Sequence, residues 1–147
     1  MRLKNKIIAT LIAEGVEDLE YYVPVMRLQE EGAKVLSAGL DMKPVRGKNG
    51  LVITPDAKIE DLKASELFAI ILPGGWAPDK VRRYDVVKKL VKEMNDANKI
   101  IGIICSRFFR KIVRVFAHYF ILAIVAGNFH SKVFINIKCE WLFCYIL

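Results

Sequence analysis

The sequence predicts an α/β fold built on a mostly parallel sheet with helices on both faces. Three observations carry that expectation. Four aliphatic, β-branched runs recur between residues 6 and 104. Each is apolar almost throughout rather than alternating, which suits strands buried on both faces. Stretches with apolar residues at helical spacing separate the first run from the second and the third from the fourth, as strand–helix–strand units require.

Lys6 to Ala13 is the first strand. Gly15 breaks it, and Glu17-Asp18 place acids where a helix N-terminus favours them. Leu19, Tyr22, Val23 and Met26 then recur at helical spacing; Pro24 predicts a bend and Gly32 a C-terminal cap. Lys34 to Ala38 is the second strand. Pro44, Gly47, Gly50 and Pro55 around Leu51-Val52-Ile53 predict a short hairpin excursion. Phe68 to Leu72 is the third core strand, stopped by Pro73-Gly74-Gly75. A helix is expected over Asp79 to Asn98, with Val86, Val87, Leu90, Val91 and Met94 on one face and lysines on the other. Ile100 to Ile104 is the fourth core strand, and it delivers Cys105 at its end.

One domain is the natural reading of 147 residues. With 54% hydrophobic and 27% charged residues, a disordered polyelectrolyte and a low-complexity chain are excluded. Three cysteines make no disulfide scaffold, and no secretory pattern opens the chain, so a cytoplasmic protein is expected. The net charge of +7 is unevenly spread: 17 basic against 15 acidic residues through position 105, then six against one. No basic stripe interleaved with aromatics runs through the first part, so no nucleic-acid partner is expected.

In parallel sheets, ligands collect beyond the carboxyl ends of the strands. Glu17, Gly74-Gly75 and Cys105 all fall there. Cys105 is the candidate nucleophile, because a thiol opening a helix feels the positive helix N-terminus, which favours thiolate. The backbone N–H groups of the same turn, at Cys105 and Ser106, suit an oxyanion. A buried structural cysteine is the plainer reading of an isolated Cys. Glu17 can hydrogen-bond or accept a proton from the thiol, or simply start the helix. Gly74 and Gly75 permit close backbone approach to a ligand, or merely a tight turn. Asp79 fits the N-terminal turn of the next helix.

Five segments stand in an order that matches a family: Glu17-Asp18-Leu19-Glu20, Arg27-Leu28-Gln29-Glu30-Glu31-Gly32, Gly47-Lys48-Asn49-Gly50, Pro73-Gly74-Gly75-Trp76-Ala77-Pro78-Asp79 and Ile103-Ile104-Cys105. The chain from residue 6 to residue 105 resembles the PfpI family of intracellular cysteine proteases, within the class I glutamine amidotransferase-like superfamily. The resemblance implies a flavodoxin-like three-layer sandwich with a nucleophile-elbow cysteine at Cys105, a contacting glutamate at Glu17 and oxyanion-hole backbone at Gly75. It implies that Asp79 holds the position of an acid that reaches a neighbouring subunit's site. The implied activities are peptide hydrolysis, glyoxalase-type conversion of methylglyoxal and repair of glycated proteins. The implied substrate is a small carbonyl compound or a peptide, with no metal or organic cofactor and with homo-oligomeric assembly.

The resemblance stops at Cys105. The family continues with His-Gly; this chain reads Ser106-Arg107-Phe108, so the adjacent histidine base is missing and an impaired hydrolase is expected. A non-catalytic, stress-related binding or chaperone-like protein, or a degenerate gene product, is the alternative. Residues 1 to 105 thus read as the PfpI-type part and 106 to 147 as a basic, apolar tail that leaves the domain incomplete or aberrant. Arg107, Arg110, Lys111 and Arg114 share one helical face, and Val115 to Ser131 carry no formal charge. Such a segment suits a membrane surface, though an ordinary core helix ranks above it and no membrane partner is expected. Seven of eight phenylalanines and none of the five prolines lie after position 105. Translation out of frame, which would leave this composition, fits the tail better than either. His118, His130, Cys139 and Cys144 show no metal-ligand spacing.

Overall fold

The computed structural model describes residues 2–104 and the strand at 133–136. Cys105, Ser106 and the predicted basic helix face of the tail lie outside the described residues. Among the described residues eight strands and three α-helices follow in order: β1 (Ile7–Leu11), α1 (Asp18–Glu30), β2 (Lys34–Gly39), β3 (Val45–Arg46), β4 (Val52–Ile53), β5 (Ala57–Lys58), β6 (Ala69–Leu72), α2 (Ala77–Val81), α3 (Asp85–Asp96), β7 (Ile100–Ile104) and β8 (Val133–Asn136). A single 3-10 turn at Ile59–Asp61 follows β5.

Six strands form one sheet in the order β5-β2-β1-β6-β7-β8, and every pairing in it is parallel. Strands β3 and β4 form the expected hairpin apart from it. The predicted α/β class is what the molecule has, a flavodoxin-like sandwich. The sheet register aligns Ala9, Ile70 and Ile101 on one face, and Leu72 with Ile103 on that same face. These join Val87, Leu90 and Met94 of α3 in the larger core cluster. The alternate residues Ile8 and Ala69 pack with Ile71, Ile100 and Leu28 of α1. Parallel crossovers are right-handed, and those through α1 and through α2 and α3 run in opposite directions across the sheet, so the two helical layers cover opposite faces. Thr10 and Ser37 are partners in register on the α1 side, and both are buried. Ser37 meets the Tyr21 hydroxyl at 2.7 Å.

Two expectations about helices are corrected. The apolar stripe that predicts α1 is not the face it buries. Leu19, Tyr22, Val23 and Met26 are 68, 44, 60 and 52% exposed, while Tyr21 and Val25 turn inward. Pro24 sits inside the helix without ending it, and Gly32 takes φ +89° just past its end, as a helix terminus asks. The helix expected over Asp79 to Asn98 is instead two helices with a break at residues 82–84. The reason lies in packing. In one continuous helix Val81 and Leu90 would stand about 180° apart. Breaking the helix lets both be buried, at 2 and 3% exposure. The lysines of α3 face outward, as expected.

At the amino end of β7, Lys99 Nζ donates to three carbonyls, those of Ala64 at 2.6 Å, Ser65 at 2.9 Å and Leu67 at 2.6 Å. That closes the loop before β6 against β7. Strand β8 pairs in parallel with β7 from Ile101↔Val133 to Ile104↔Asn136 and was not expected from the tail. Its signal is the run Val133-Phe134-Ile135-Asn136-Ile137, with β-branched residues at alternate positions.

Candidate functional site

The sheet has one point where the chain reverses its direction of travel across the strands. From β1 the chain crosses through α1 to β2 on one side; from β6 it crosses through α2 and α3 to β7 on the other. The crevice between β1 and β6, at their carboxyl ends, is the expected ligand site of such a sheet. The residues just past these two strands are brought together there. Val16 and Gly75 form an antiparallel bridge. Its hydrogen bonds run from the Glu17 N–H to the Gly74 carbonyl, 3.1 Å, and from the Trp76 N–H to the Gly15 carbonyl, 2.7 Å.

The approach is so close that only glycine fits at position 75. Its φ is +82°, and a Cβ there would lie 2.4 Å from the Gly15 carbonyl oxygen and 2.6 Å from the Glu17 nitrogen. Gly74 spends both its backbone groups on this junction. Its carbonyl takes the Glu17 N–H, and its own N–H donates to Glu20 Oε2 at 2.7 Å. Among the described residues the Gly75 N–H has no acceptor. Trp76 stands at the rim, 62% exposed, over Gly15.

Glu17 caps α1. Its Oε2 accepts from the Leu19 N–H at 2.9 Å and the Glu20 N–H at 3.0 Å, so the helix-start reading of this residue describes its geometry. Its Oε1 accepts from Asn49 Nδ2 at 3.1 Å. Asp18 holds the hairpin loop by accepting from the Asn49 N–H at 2.9 Å and the Leu51 N–H at 2.8 Å. The hydrogen bond from Asn49, foremost, lowers the Asp18 pKa below the usual aspartate value. Two main-chain bonds, Gly15 N–H to Arg46 and Lys48 N–H to Val16, tie the hairpin to the same loop, both at 2.8 Å.

Asp79 lies in the first turn of α2, as the helix-start reading expects. Its carboxylate takes a bond from Arg82 Nε at 2.7 Å, a second from Arg82 Nη2, and one from Arg83 Nη2 at 2.7 Å. The Arg82 guanidinium, then Arg83, lowers its pKa. The structure thus brings Glu17, Gly74 and Gly75 into one junction and places Asp79 on the helix that leaves it. Cys105 and Ser106 lie outside the described residues, and Cys105 is the residue that follows Ile104, the last of β7. Sequence reasoning gave no role to Glu20 and Asn49. Both stand in matched segments, and that was the available signal.

Among the described residues no cluster of three His, Cys, Asp or Glu side chains is placed to hold a metal ion. No described helix is long and apolar enough to cross a membrane.

The profile of the DJ-1/PfpI family matches residues 6–107. The chain is 36% identical over 95 residues to a Pyrococcus abyssi protein named deglycase PYRAB04690, covering 65% of this chain and 57% of that one. Over 102 residues it is 35% identical to YraA of Bacillus subtilis, whose name marks it as a candidate cysteine protease; 69% of this chain and 60% of that one are covered. It spans rather more than half the length of these relatives. Among solved structures, a two-domain protein of Anabaena variabilis with DJ-1/ThiJ/PfpI-like and ferritin-like domains superposes with a TM-score of 0.67 at 35% identity, over 68% of this chain and 29% of that one. DJ-1beta of Drosophila melanogaster shares the fold at a TM-score of 0.67 and 24% identity, over 75% of this chain and 59% of that one. The family profile matches residues 6–107, more than half of the chain, and this chain is a member of the DJ-1/PfpI family.

Proposed function

We propose that this chain is a PfpI-type, cysteine-dependent enzyme of the cytoplasm that acts on small carbonyl compounds and their protein adducts, with peptidase activity impaired. The observation that carries the reading is the Val16–Gly75 bridge at the switch point of the sheet. It gathers Glu17 and Gly75 past the carboxyl ends of β1 and β6, and β6 pairs with β7, after which Cys105 follows in sequence. Leu72 of β6 pairs in register with Ile103 of β7, and neighbouring strands are about 4.8 Å apart, so the two strand ends lie one strand spacing from each other. Relatives named as deglycases support the substrate class.

In this reading the Cys105 thiolate adds to the aldehyde carbon of methylglyoxal, taken up free or as it is released reversibly from a protein adduct with return of the amine or thiol. The carbonyl π pair moves onto oxygen, where the Gly75 N–H and the turn at Ser106 donate to it. Glu17 accepts the thiol proton. Methylglyoxal plus water gives lactate, the aldehyde carbon being oxidised as the ketone carbon is reduced, so no outside oxidant, metal or cofactor enters. Peptide hydrolysis differs, because the leaving amine must receive a proton from a positioned general acid, the protonated form of the residue that first served as base. Such assistance is typically worth about 10²- to 10⁴-fold, and Ser106 stands where the family places histidine. A homo-oligomer belongs to the same reading: the exposed face of α1 supplies apolar surface for it, and Asp79 faces a neighbouring subunit's site.

The test is lactate formation from methylglyoxal by the full chain, followed by proton NMR. Cys105→Ala is expected to abolish it. Casein cleavage is expected to stay at background and to rise in the Ser106→His, Arg107→Gly double variant. Wild-type protein that forms lactate no faster than Cys105→Ala would overturn the enzyme reading. It would favour the binding-protein alternative, for which the Ser106-Arg107 sequence and the 32% identity to general stress protein 18 of Bacillus subtilis speak.

A further inference from the structure

The two oxygens of Glu17 have different surroundings. Oε2 is consumed by the two N–H groups at the start of α1. Oε1 is the oxygen left to meet a thiol or a proton, and its partner among the described residues is the Asn49 amide, at 3.1 Å. Asn49 comes from the β3–β4 hairpin, 32 residues away in sequence, so something must fix the loop for this contact to persist.

The loop is fixed from several sides. Asp18 accepts the Asn49 and Leu51 N–H groups on its two oxygens, and Lys48 N–H reaches back to the Val16 carbonyl. Gly47 packs so tightly that a Cβ there would come within 2.6 Å of Asp18 Oδ2. A carboxylate thus clamps the main chain on each side of Asn49, leaving its side chain to reach Glu17.

We infer that Asn49 is a positioning residue: held by the Asp18 clamp, its amide fixes Glu17 Oε1 in the orientation from which Glu17 serves the site. The inference rests on the reading of Glu17 as the carboxylate that acts on Cys105. Asn49 is exposed and its side-chain amide makes one hydrogen bond among the described residues, so its removal leaves the fold in place. The variants below retain Asp18, Glu20, Glu14, Arg46 and Lys48, the charged residues that tie the start of α1 to the hairpin and the glycine turn.

The experiment is the rate at which iodoacetamide alkylates Cys105 in the full chain at pH 7. It is read by mass spectrometry of the tryptic peptide Ile100 to Arg107 after unfolding, a peptide that holds this cysteine and no other. Glu17→Gln is expected to slow alkylation. Asn49→Ala is expected to slow it at least about threefold in the wild-type background and not further in the Glu17→Gln background, the signature of two residues acting as one unit. Asn49→Gln, which keeps the amide, is expected to recover part of the rate. If Glu17→Gln slows alkylation and Asn49→Ala does not, the inference about Asn49 falls and the reading of Glu17 stands. Equal slowing by Asn49→Ala in both backgrounds would also overturn it, by making Asn49 merely structural. If Glu17→Gln has no effect, the reading of Glu17 falls and takes the inference with it.

Discussion

Glu20 Oε2 receives the Gly74 N–H at 2.7 Å, joining the first turn of α1 to the glycine turn after β6 across 54 residues of sequence. Sequence distance hides this pair; the β1–β6 register makes it. A carboxylate holding a part-buried N–H is worth about 1.5–3 kcal/mol. Glu20→Ala is expected to lower stability in urea by about that amount and to raise hydrogen exchange at Gly74. Unchanged exchange at Gly74 would show that the bond does not hold the turn.

At Gly75 the expectation is harsher. Alanine there meets both a left-handed backbone and main-chain atoms that cannot give way, so Gly75→Ala should cost about 2–4 kcal/mol. Gly50 makes the control. Its φ is +103°, yet a Cβ would meet nothing within 4 Å. Gly50→Ala should therefore carry backbone strain alone, and thermal melting of the two variants should rank them in that order.

The Asp18 clamp carries a pH dependence of known sign. Hydrogen bonds, from Asn49 first, favour the charged carboxylate, so its folded pKa lies below the unfolded one. The hairpin attachment is then fully present above the unfolded value of about 3.9 and is lost as pH falls through the lower folded value. Amide exchange at Asn49 and Leu51 should accelerate in that acid window beyond the intrinsic rate. Asp18→Asn should remove the step.

The outward stripe of α1 predicts self-association. Val23→Glu with Met26→Lys should shift the sedimentation coefficient toward a smaller species. Stability should change by only about 0.5 kcal/mol, since the buried side of α1 is Tyr21 and Val25. A wild type that sediments as a monomer at high concentration would remove this face from the assembly.

What the sequence disclosed, it disclosed through periodicity. The strands and the inner face of α3 were legible because Val87, Leu90 and Met94 repeat with the helix. The break before Asp85 was not, because nothing local distinguishes Val81; only the shared core demands that it be buried with Leu90. In α1 the stripe of Leu19, Tyr22, Val23 and Met26 outweighs Tyr21 and Val25 in the count, yet the sheet takes the latter pair. Tyr21 has a reason that a hydropathy count misses. Its hydroxyl finds Ser37 on β2, and burial pushes its pKa above the ordinary tyrosine value. At the site, Glu17, Gly74 and Gly75 were legible from their places after strands, while Glu20 and Asn49 depend on partners that only the folded chain supplies.

The three carbonyls around Lys99 occupy all three hydrogens of its ammonium group. An amine-directed acylating reagent must reach the nitrogen, which these three carbonyls surround for as long as the loop at 64–67 stays against β7. The surface lysines of α3 have no such shelter. Lys99 is therefore a built-in reporter: its labelling, set against that of Lys88, Lys89 and Lys92, dates the moment at which the β6–β7 half of the sheet comes apart.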